Sequence, residues 1–490
     1  MYRYAKVTTE TDEQVGDRAN DLLRVNGADL GAKVIGEGGN LGFTQLARVE
    51  YCLAGGRCNT DFIDNAGGVD CSDHEVNIKI LLNQCVASEA MTIDERNALL
   101  ESMTEAVSDL VLENNYRQTQ AISIAEHEAL SRSVEYRRLI SHFEATGKFD
   151  RELEAIPCDE TIAERRANHQ ALTRPELSVL VSYSKLFLKQ ALVDADIASC
   201  KYLVNEAKQA FPDVLRFEYT NDITEHQLLN EIVSTQVAGD LVNRMGITFV
   251  HRMQQATGEL DESVAKAYIT ARDLFGIDKY WRMIEDLDYQ VPAALQSDMF
   301  AHIIRLVRRT TRWLLRSRRG SLEPQQEIDR FSGTAAWLTA NMCSLLTGAQ
   351  KTDWQAKVNE LLDQGVPTEL AEFVASARYL YTTFAVAEVT ESGEQSLEAV
   401  AHTYFALGSQ LELNWFADQI VKMGVDNYWQ AMARESFRDD LEWQQRSITQ
   451  NMLRGEASQM KTPNEAQAAV DNWILQHENY VGRCPHMVAE

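Results

Sequence analysis

Glycine is segregated in this chain. Ten of its 25 glycines fall between Gly27 and Gly68: those two plus Gly31, Gly36, Gly38, Gly39, Gly42, Gly55, Gly56 and Gly67. Backbone so rich in glycine belongs to tight turns between short strands and helices. The rest has the opposite texture. Proline is scarce, with 8 in 490 residues, where about 5% is usual, and Ala, Leu, Glu, Gln and Arg abound, as in long helices.

Within the glycine-rich part, Lys33-Val-Ile-Gly-Glu37 reads as a short buried strand. Phe43 to Leu53 has helical spacing, Arg57 to Ile63 reads as a second short strand, and Val76 to Val86 resumes as a helix. Strand, loop, helix, strand, loop, helix is an α/β unit with a parallel sheet. Beyond about residue 90 the pattern is helical. Leu228, Leu229, Ile232, Val233, Val237, Leu241, Val242, Met245 and Phe249 mark one face of a long helix. Thr224 with Gln227, and Thr173 with Glu176 around Pro175, read as capping boxes. Breaks are expected at Thr146-Gly-Lys, Pro157, Gly320 to Pro324, Gly365-Val-Pro and Pro463. The fold class is therefore mainly α: a small, partial Rossmann-like α/β segment over residues 1–90, then a large all-helical domain over 91–490 with a sub-boundary near 320–330.

Charge and cysteine usage exclude several functions. Forty-seven Lys and Arg against 73 Asp and Glu give a formal charge of −26, which argues against a protein that coats nucleic acid or a polybasic membrane binder. The most apolar stretch, Leu177 to Leu188, is interrupted by Ser178, Ser182, Ser184 and Lys185, and the opening Met1-Tyr-Arg-Tyr-Ala-Lys lacks the apolar core of a signal peptide. The eight cysteines (52, 58, 71, 85, 158, 200, 343 and 484) contain no Cys-x-x-Cys pair and read as reduced cytoplasmic thiols, with no metal site implied. Arg305, Arg308, Arg309, Arg312, Arg316, Arg318 and Arg319, with Trp313 among them, are expected to form a solvated helix face paired with Asp and Glu. His74 lies two residues from Ser72, which on a helix turns the two side chains apart and argues against a Ser-His pair.

Two loops carry the chemistry. Gly36-Glu-Gly38-Gly39-Asn40-Leu-Gly42 follows the first expected strand and matches a relaxed dinucleotide fingerprint. A plain glycine turn explains it equally well. Asp64-Asn65-Ala66-Gly67-Gly68-Val69-Asp70-Cys71-Ser72 ends the second expected strand in the same way. Adjacent strands ending in Asn-bearing glycine loops place both loops on one edge of the sheet, where open α/β sheets bind ligands.

These residues resemble the glutamate dehydrogenases, specifically the large NAD-dependent bacterial class. Lys33 to Arg48 is similar to that class's strand and turn. The compact glutamate dehydrogenases differ there, reading Glu-Gly-Ala-Asn followed by Pro-Thr-Thr. Thr60 to Lys79 matches the large class almost residue for residue. The match is dense from Val15 to Leu82, continues through Leu172-Thr-Arg-Pro-Glu-Leu177, Asn243-Arg-Met-Gly246 and Arg308 to Arg316, and fades after about residue 320.

The resemblance reassigns the first loop. It implies that Gly38, Gly39 and Asn40 face the nicotinamide ribose of NAD, that Asn65 approaches the carboxamide, and that Gly67 and Gly68 clear room for the ring. Val69 and Ser72 would line the pocket for glutamate or 2-oxoglutarate, with Ser72 donating to the side-chain carboxylate. The helix after Asp73 would act as a hinge element. The family's catalytic lysine and carboxylate and its pyrophosphate turn lie in earlier segments. Lys6 and Lys33 stand in the wrong contexts and Asp17 and Asp29 flank a surface-like helix, so no catalytic residue is assigned here. The expected function is NAD-dependent oxidative deamination of L-glutamate, performed as the C-terminal part of a longer cytoplasmic, homo-oligomeric enzyme, with the helical domain serving assembly or conformational control. One rival is a non-catalytic helical interaction or regulatory subunit with a vestigial dehydrogenase edge. A self-sufficient dehydrogenase built around Gly36 to Gly42 is disfavoured by the low strand count.

Overall fold

The computed structural model describes residues 4–424, 428–454 and 463–476; Met1-Tyr-Arg and Cys484 lie outside them. The chain divides between Ile269 and Thr270 into two compact units. Both are built mainly of helices, and among the described residues no helix is long and apolar enough to cross a membrane.

The first unit opens with two strands, β1 (Ala5–Lys6) and β2 (Val25–Asn26), paired in parallel. Isolated parallel bridges join Ala5 to Phe43 and Val34 to Arg57. The expected strands at 33–37 and 57–63 are thus cut to one bridge each, although they do run parallel: the Arg57 amide donates to the Lys33 carbonyl and the Ile35 amide to the Arg57 carbonyl, at 3.0 and 2.9 Å. Nor is the first run buried, since Val34 is 69% exposed. Carboxylates explain the truncation. The Glu37, Leu41 and Phe43 amides donate to the side chains of Asp64, Asp61 and Glu37, and side chains that take backbone donors in this way compete with a ladder.

Helix α1 (Gln45–Leu53) starts at Thr44, whose hydroxyl accepts from the Ala47 amide. The segment expected to finish the second strand becomes a short helix, α2 (Asp61–Asp64). Helix α3 (Gly67–Ala87) begins well before Val76, so Gly67 to Ser72, expected as loop, form its first turns. Asp70 places a carboxylate at the positive end of the helix dipole. The buried face of α3 carries His74, Ile78, Leu81, Leu82 and Cys85, at the helical spacing that a core-facing stripe requires.

Helix α4 (Thr104–Ala129) packs on α3, and α5 (Arg174–Asp194) packs on α4. The Thr173–Glu176 capping box forms at the start of α5. Glu176 is fully buried, its carboxylate accepting from the Thr173 amide at 2.6 Å and from Arg165 at 2.8 and 3.0 Å. The Thr224–Gln227 box does not form. Thr224 donates to the Asn221 carbonyl within the preceding short helix, while the Leu228 amide at the head of α6 (Leu229–Met245) donates to His226 Nδ1. Ile232, Val233, Val237, Leu241, Val242 and Met245 bury the predicted face of α6, against α5 among others. The helix stops at Gly246 (φ 86°), so Phe249 opens the next one instead of ending this one.

Two histidines tie α3 to the segment before α6. His74 Nδ1 lies 2.9 Å from the Ala210 carbonyl, and His226 Nε2 lies 3.0 Å from the Asn77 carbonyl. Asp17, expected on a surface, is buried and accepts from Asn20 at 2.7 Å.

In the second unit, α7 (Ala293–Ser317) carries the arginine run and α8 (Pro324–Leu345) follows it, after the expected break at Gly320. A core of rings joins Trp313, Phe331 and Phe384, with centroids 4.1 to 5.6 Å apart. The expected pairing with carboxylates is seen at four of the arginines, although Arg312 is largely buried where a solvated face was expected. Arg309 meets Glu442, Arg312 meets Glu435 and Asp439, and Arg316 meets Asp439, all on α9 (Tyr428–Leu453), while Arg318 meets Glu327.

Candidate functional site

The two glycine loops come together around one arginine. Arg48 projects from α1, is only 5% exposed, and holds Glu37 through Nε–Oε2 and Nη2–Oε1 contacts of 2.5 and 3.0 Å. Its Nη2 also lies 3.1 Å from Asp61 of α2. Each carboxylate in turn accepts backbone amides: Glu37 that of Phe43 at 3.2 Å, Asp61 that of Leu41 at 2.7 Å, and Asp64 that of Glu37 at 3.0 Å. Asn59 donates to Asp64 at 2.8 Å and accepts from Arg174 of α5 at 3.0 Å. A buried, fully committed charge network therefore sets the shape of residues 36–44 relative to residues 59–66.

On top of this network Asn65 Nδ2 donates to Asn40 Oδ1. Gly38, Gly39 and Asn40 are exposed, and Leu41 beside them holds a left-handed φ of 59°. Gly67 and Gly68 open α3 next to Asn65. A Cβ on Gly38, Gly39 or Gly68 would meet no atom within 4 Å, and none of the three has a left-handed φ. Nothing in the chain's own packing requires glycine at those places. Gly67 is different, for its Cβ would touch Val111 of α4 at 3.5 Å.

Val69 and Ser72 follow on one exposed face of α3. Val69 is 70% exposed, Val76 continues the stripe at 52%, and Ser72 Oγ donates to the Gly68 carbonyl at 3.1 Å. Asp70 and His74 occupy the opposite face, where Asn114 of α4 donates to Asp70 at 2.9 Å and lies 3.3 Å from His74 Nε2. Ser72 and His74 therefore point apart, as their spacing required. Nearby, Lys185 of α5 reaches Gln118 at 3.2 Å, and burial pushes its ammonium down to about 8 while Asp70 opposes the shift.

The structure thus brings Gly38, Gly39, Asn40 and Asn65 together, sets Gly67 and Gly68 beside them, and presents Val69 and Ser72 one turn along. Sequence reasoning missed Glu37, Arg48, Asp61 and Asp64, which build the platform. The signal was present: an arginine between Ala47 and Val49, on the buried face of a helix, needs buried carboxylates to meet it. Chemically the site offers two amides, a hydroxyl and open backbone. It can bind and orient a polar, flat ligand, whereas the carboxylates below it are already engaged.

The family model described as "Glutamate dehydrogenase, C-terminal" matches residues 169–490, and that for "Bacterial NAD-glutamate dehydrogenase, catalytic domain" matches residues 1–125. The chain belongs to the bacterial NAD-glutamate dehydrogenase family. Proteins named NAD-specific glutamate dehydrogenase from Pseudomonas aeruginosa and Halomonas elongata are 50% and 43% identical to it over 487 residues, which is 99% of this chain and 30% of each relative. A third, from Mycobacterium tuberculosis, is 37% identical over 462 residues, 94% of this chain and 28% of that protein. The chain therefore spans under a third of the length of these glutamate dehydrogenases. The catalytic-domain match covers both loops of the candidate site and the start of α3, whereas Arg174 and Lys185 of α5 fall in the C-terminal match, and the boundary between the two matches lies within the first structural unit.

Proposed function

We propose that this chain supplies the nicotinamide-side wall of a longer NAD-dependent glutamate dehydrogenase, which oxidatively deaminates L-glutamate to 2-oxoglutarate and ammonium. The observation that carries the reading is the set of glycines with no structural need to be glycine. Gly38, Gly39 and Gly68 leave open space around a bridged pair of asparagines. Gly68 carries no side chain although its surroundings are open and its φ is not left-handed, which points to a ligand that needs the room. A planar carboxamide-bearing ring meets that description.

NAD, when bound, accepts the hydride that leaves the α-carbon of glutamate. The residues of this chain bind and orient. Gly38, Gly39 and Asn40 would lie along the nicotinamide ribose, and Asn65 would exchange its bond to Asn40 for the carboxamide. Gly67 and Gly68 would admit the ring, and Val69 and Ser72 would meet the substrate, Ser72 giving its hydroxyl to the side-chain carboxylate. Residues 1–90 are assigned to the C-terminal part of an NAD-binding domain of Rossmann type. The parallel arrangement of β1, β2 and the 33–35 and 57 segments supports this. So does the exposure of Leu22, Leu23, Val25 and Val34 beside them, an apolar surface suited to further strands and helices. The helical remainder is assigned to assembly of a cytoplasmic homo-oligomer.

Asn65→Ala tests the reading in the full-length enzyme that carries this sequence. The KM for NAD should rise about 3- to 10-fold, the worth of one hydrogen bond, with the KM for glutamate little changed. An unchanged KM for NAD in both Asn65→Ala and Asn40→Ala would remove the asparagine pair from the cofactor site.

A further inference from the structure

The chain reverses direction immediately after α1, and the reversal brings two cysteines together. Cys52 lies in the last turn of α1 and Cys58 six residues on, with Ala54-Gly55-Gly56 between them. Gly55 takes a φ of 98°, and Gly56 lies so close over the Tyr51 ring that a Cβ there would come within 2.2 Å of Cζ. The Gly56 amide donates to the Tyr51 carbonyl at 3.0 Å, and Arg57 then joins Lys33 and Ile35 in the parallel bridge. This turn sets the two Sγ atoms 3.7 Å apart, in van der Waals contact.

We infer that Cys52 and Cys58 are a modification site: a dithiol that a peroxide converts to a reversible intramolecular disulfide at the root of the 59–66 loop. An S–S bond of about 2.05 Å requires the sulfurs to close by less than half of their present 3.7 Å separation, across a short turn with two glycines. The pair is also chemically unequal. Cys52 is partly exposed and Cys58 is 3% exposed. The contact with Cys58 lowers the Cys52 thiol, helped by Arg174 and opposed by burial, whereas the same contact, burial and Glu37 hold the Cys58 thiol well above its usual range. Cys52 is thus the accessible nucleophile and Cys58 the proton-holding partner. Two of the other cysteines have different neighbours, Cys85 meeting Asp222 and Cys158 meeting Thr161.

The chemistry closes with hydrogen peroxide as oxidant. The Cys52 thiolate attacks one peroxide oxygen, the O–O bond breaks, and hydroxide leaves as water after taking a proton, which gives the sulfenic acid. Cys58 sulfur then attacks Cys52 sulfur. The S–S bond forms, the S–O bond breaks, and the departing hydroxide takes the Cys58 proton as a second water. Two thiols are oxidised by two electrons and one peroxide is reduced to two waters. Conversion of Cys52 to its sulfenic acid removes the negative neighbour that held the Cys58 proton in place, so the first step promotes the second.

The position gives the modification a consequence. Cys58 Sγ lies 3.9 Å from the Arg48 carbonyl, and the next residue, Asn59, holds Asp64 and Arg174. Drawing Cys58 toward α1 therefore pulls on the platform under Asn40 and Asn65; an effect on nicotinamide binding rests on the reading proposed above, whereas the disulfide itself does not.

The test uses the purified chain carrying Cys71→Ser, treated with one equivalent of hydrogen peroxide, alkylated and digested with trypsin. Cleavage after Arg57 separates the two cysteines, so the disulfide is read as peptide 49–57 joined to peptide 58–79, two hydrogens lighter than their sum. The expected result is that this joined pair is the first oxidation product, is lost on treatment with dithiothreitol, and coincides with a fall of two in the thiol count. In Cys58→Ser, Cys52 should instead be trapped by dimedone as a sulfenic acid. The inference is overturned if Cys52 is alkylated in full at that dose, goes on to the sulfinic acid unlinked, or pairs with another cysteine. Mapping involves no nucleotide, so its failure would leave the cofactor reading standing, and loss of the cofactor reading would leave the disulfide standing.

Discussion

Arg48 and Glu37 meet through two hydrogen bonds, at 2.5 and 3.0 Å, with 5% and 6% of their surfaces exposed. Asp61, 7% exposed, shares the same guanidinium at 3.1 Å. Removal of a partner from a buried ion network leaves uncompensated charge and costs about 3–5 kcal/mol. Arg48→Met should therefore lower the stability of the purified chain by that amount in urea denaturation. Arg48→Lys, which keeps the charge but not the forked geometry, should fall between the two. A midpoint for Arg48→Met equal to that of the wild type would show the network to be dispensable.

The helices were legible because their signals are local. The Thr173–Glu176 box with Pro175, the apolar stripe of α6 and the breaks at Gly320 and Gly365 all appear where their residues predict. The N-terminal α/β segment was legible only in outline. Lys33 to Glu37 has the apolar content of a strand, yet the amide of Glu37 and that of Leu41 just after it turn to carboxylates 27 and 20 residues away, and no local pattern encodes that preference. Gly67 and Gly68 read as loop because glycine disfavours helix, but the opening positions of a helix tolerate residues that the interior rejects. The candidate site's exposed residues were proposed through motif likeness. Its support was missed because Glu37, Arg48, Asp61 and Asp64 have meaning only once three segments are folded together.

Ser72 separates substrate binding from stability. Its hydroxyl is exposed and, among the described residues, bonds to the Gly68 carbonyl one turn back, an interaction of little worth to the helix. Ser72→Ala should leave the denaturation midpoint of the chain unchanged, while in the full-length enzyme the KM for glutamate rises about 3- to 10-fold with kcat nearly constant. Equal falls in kcat and kcat/KM would instead mean that the hydroxyl acts only in the transition state.

Stability should depend on pH through His226. The Leu228 amide donates to Nδ1, so Nδ1 has no proton, and Nε2–H donates to the Asn77 carbonyl. This is a neutral tautomer fixed by its partners. Burial lowers the imidazole below its ordinary value of 6.5. As pH falls through about 6.5 the unfolded chain takes up the proton first, so stability is fully present above that value and is lost progressively below it. Denaturation midpoints at pH 7.5 and pH 5 should differ less for His226→Gln than for the wild type. An undiminished difference in the variant would assign the acid sensitivity to other groups.

Gly68 sets folding against binding most directly. It sits in the first turn of α3 with an ordinary helical φ, and a Cβ there would meet nothing within 4 Å. Alanine fits without strain and restricts the unfolded chain, so Gly68→Ala should stabilise the purified chain by about 0.4–1 kcal/mol. The same methyl group would occupy the space beside Asn65 that the nicotinamide ring is proposed to fill. In the full-length enzyme the variant should therefore show a raised KM for NAD together with its higher midpoint. A more stable enzyme with unaltered KM would mean that the open space at Gly68 is not where the ring lies. A less stable one would mean that the glycine is needed by a contact of the fold itself.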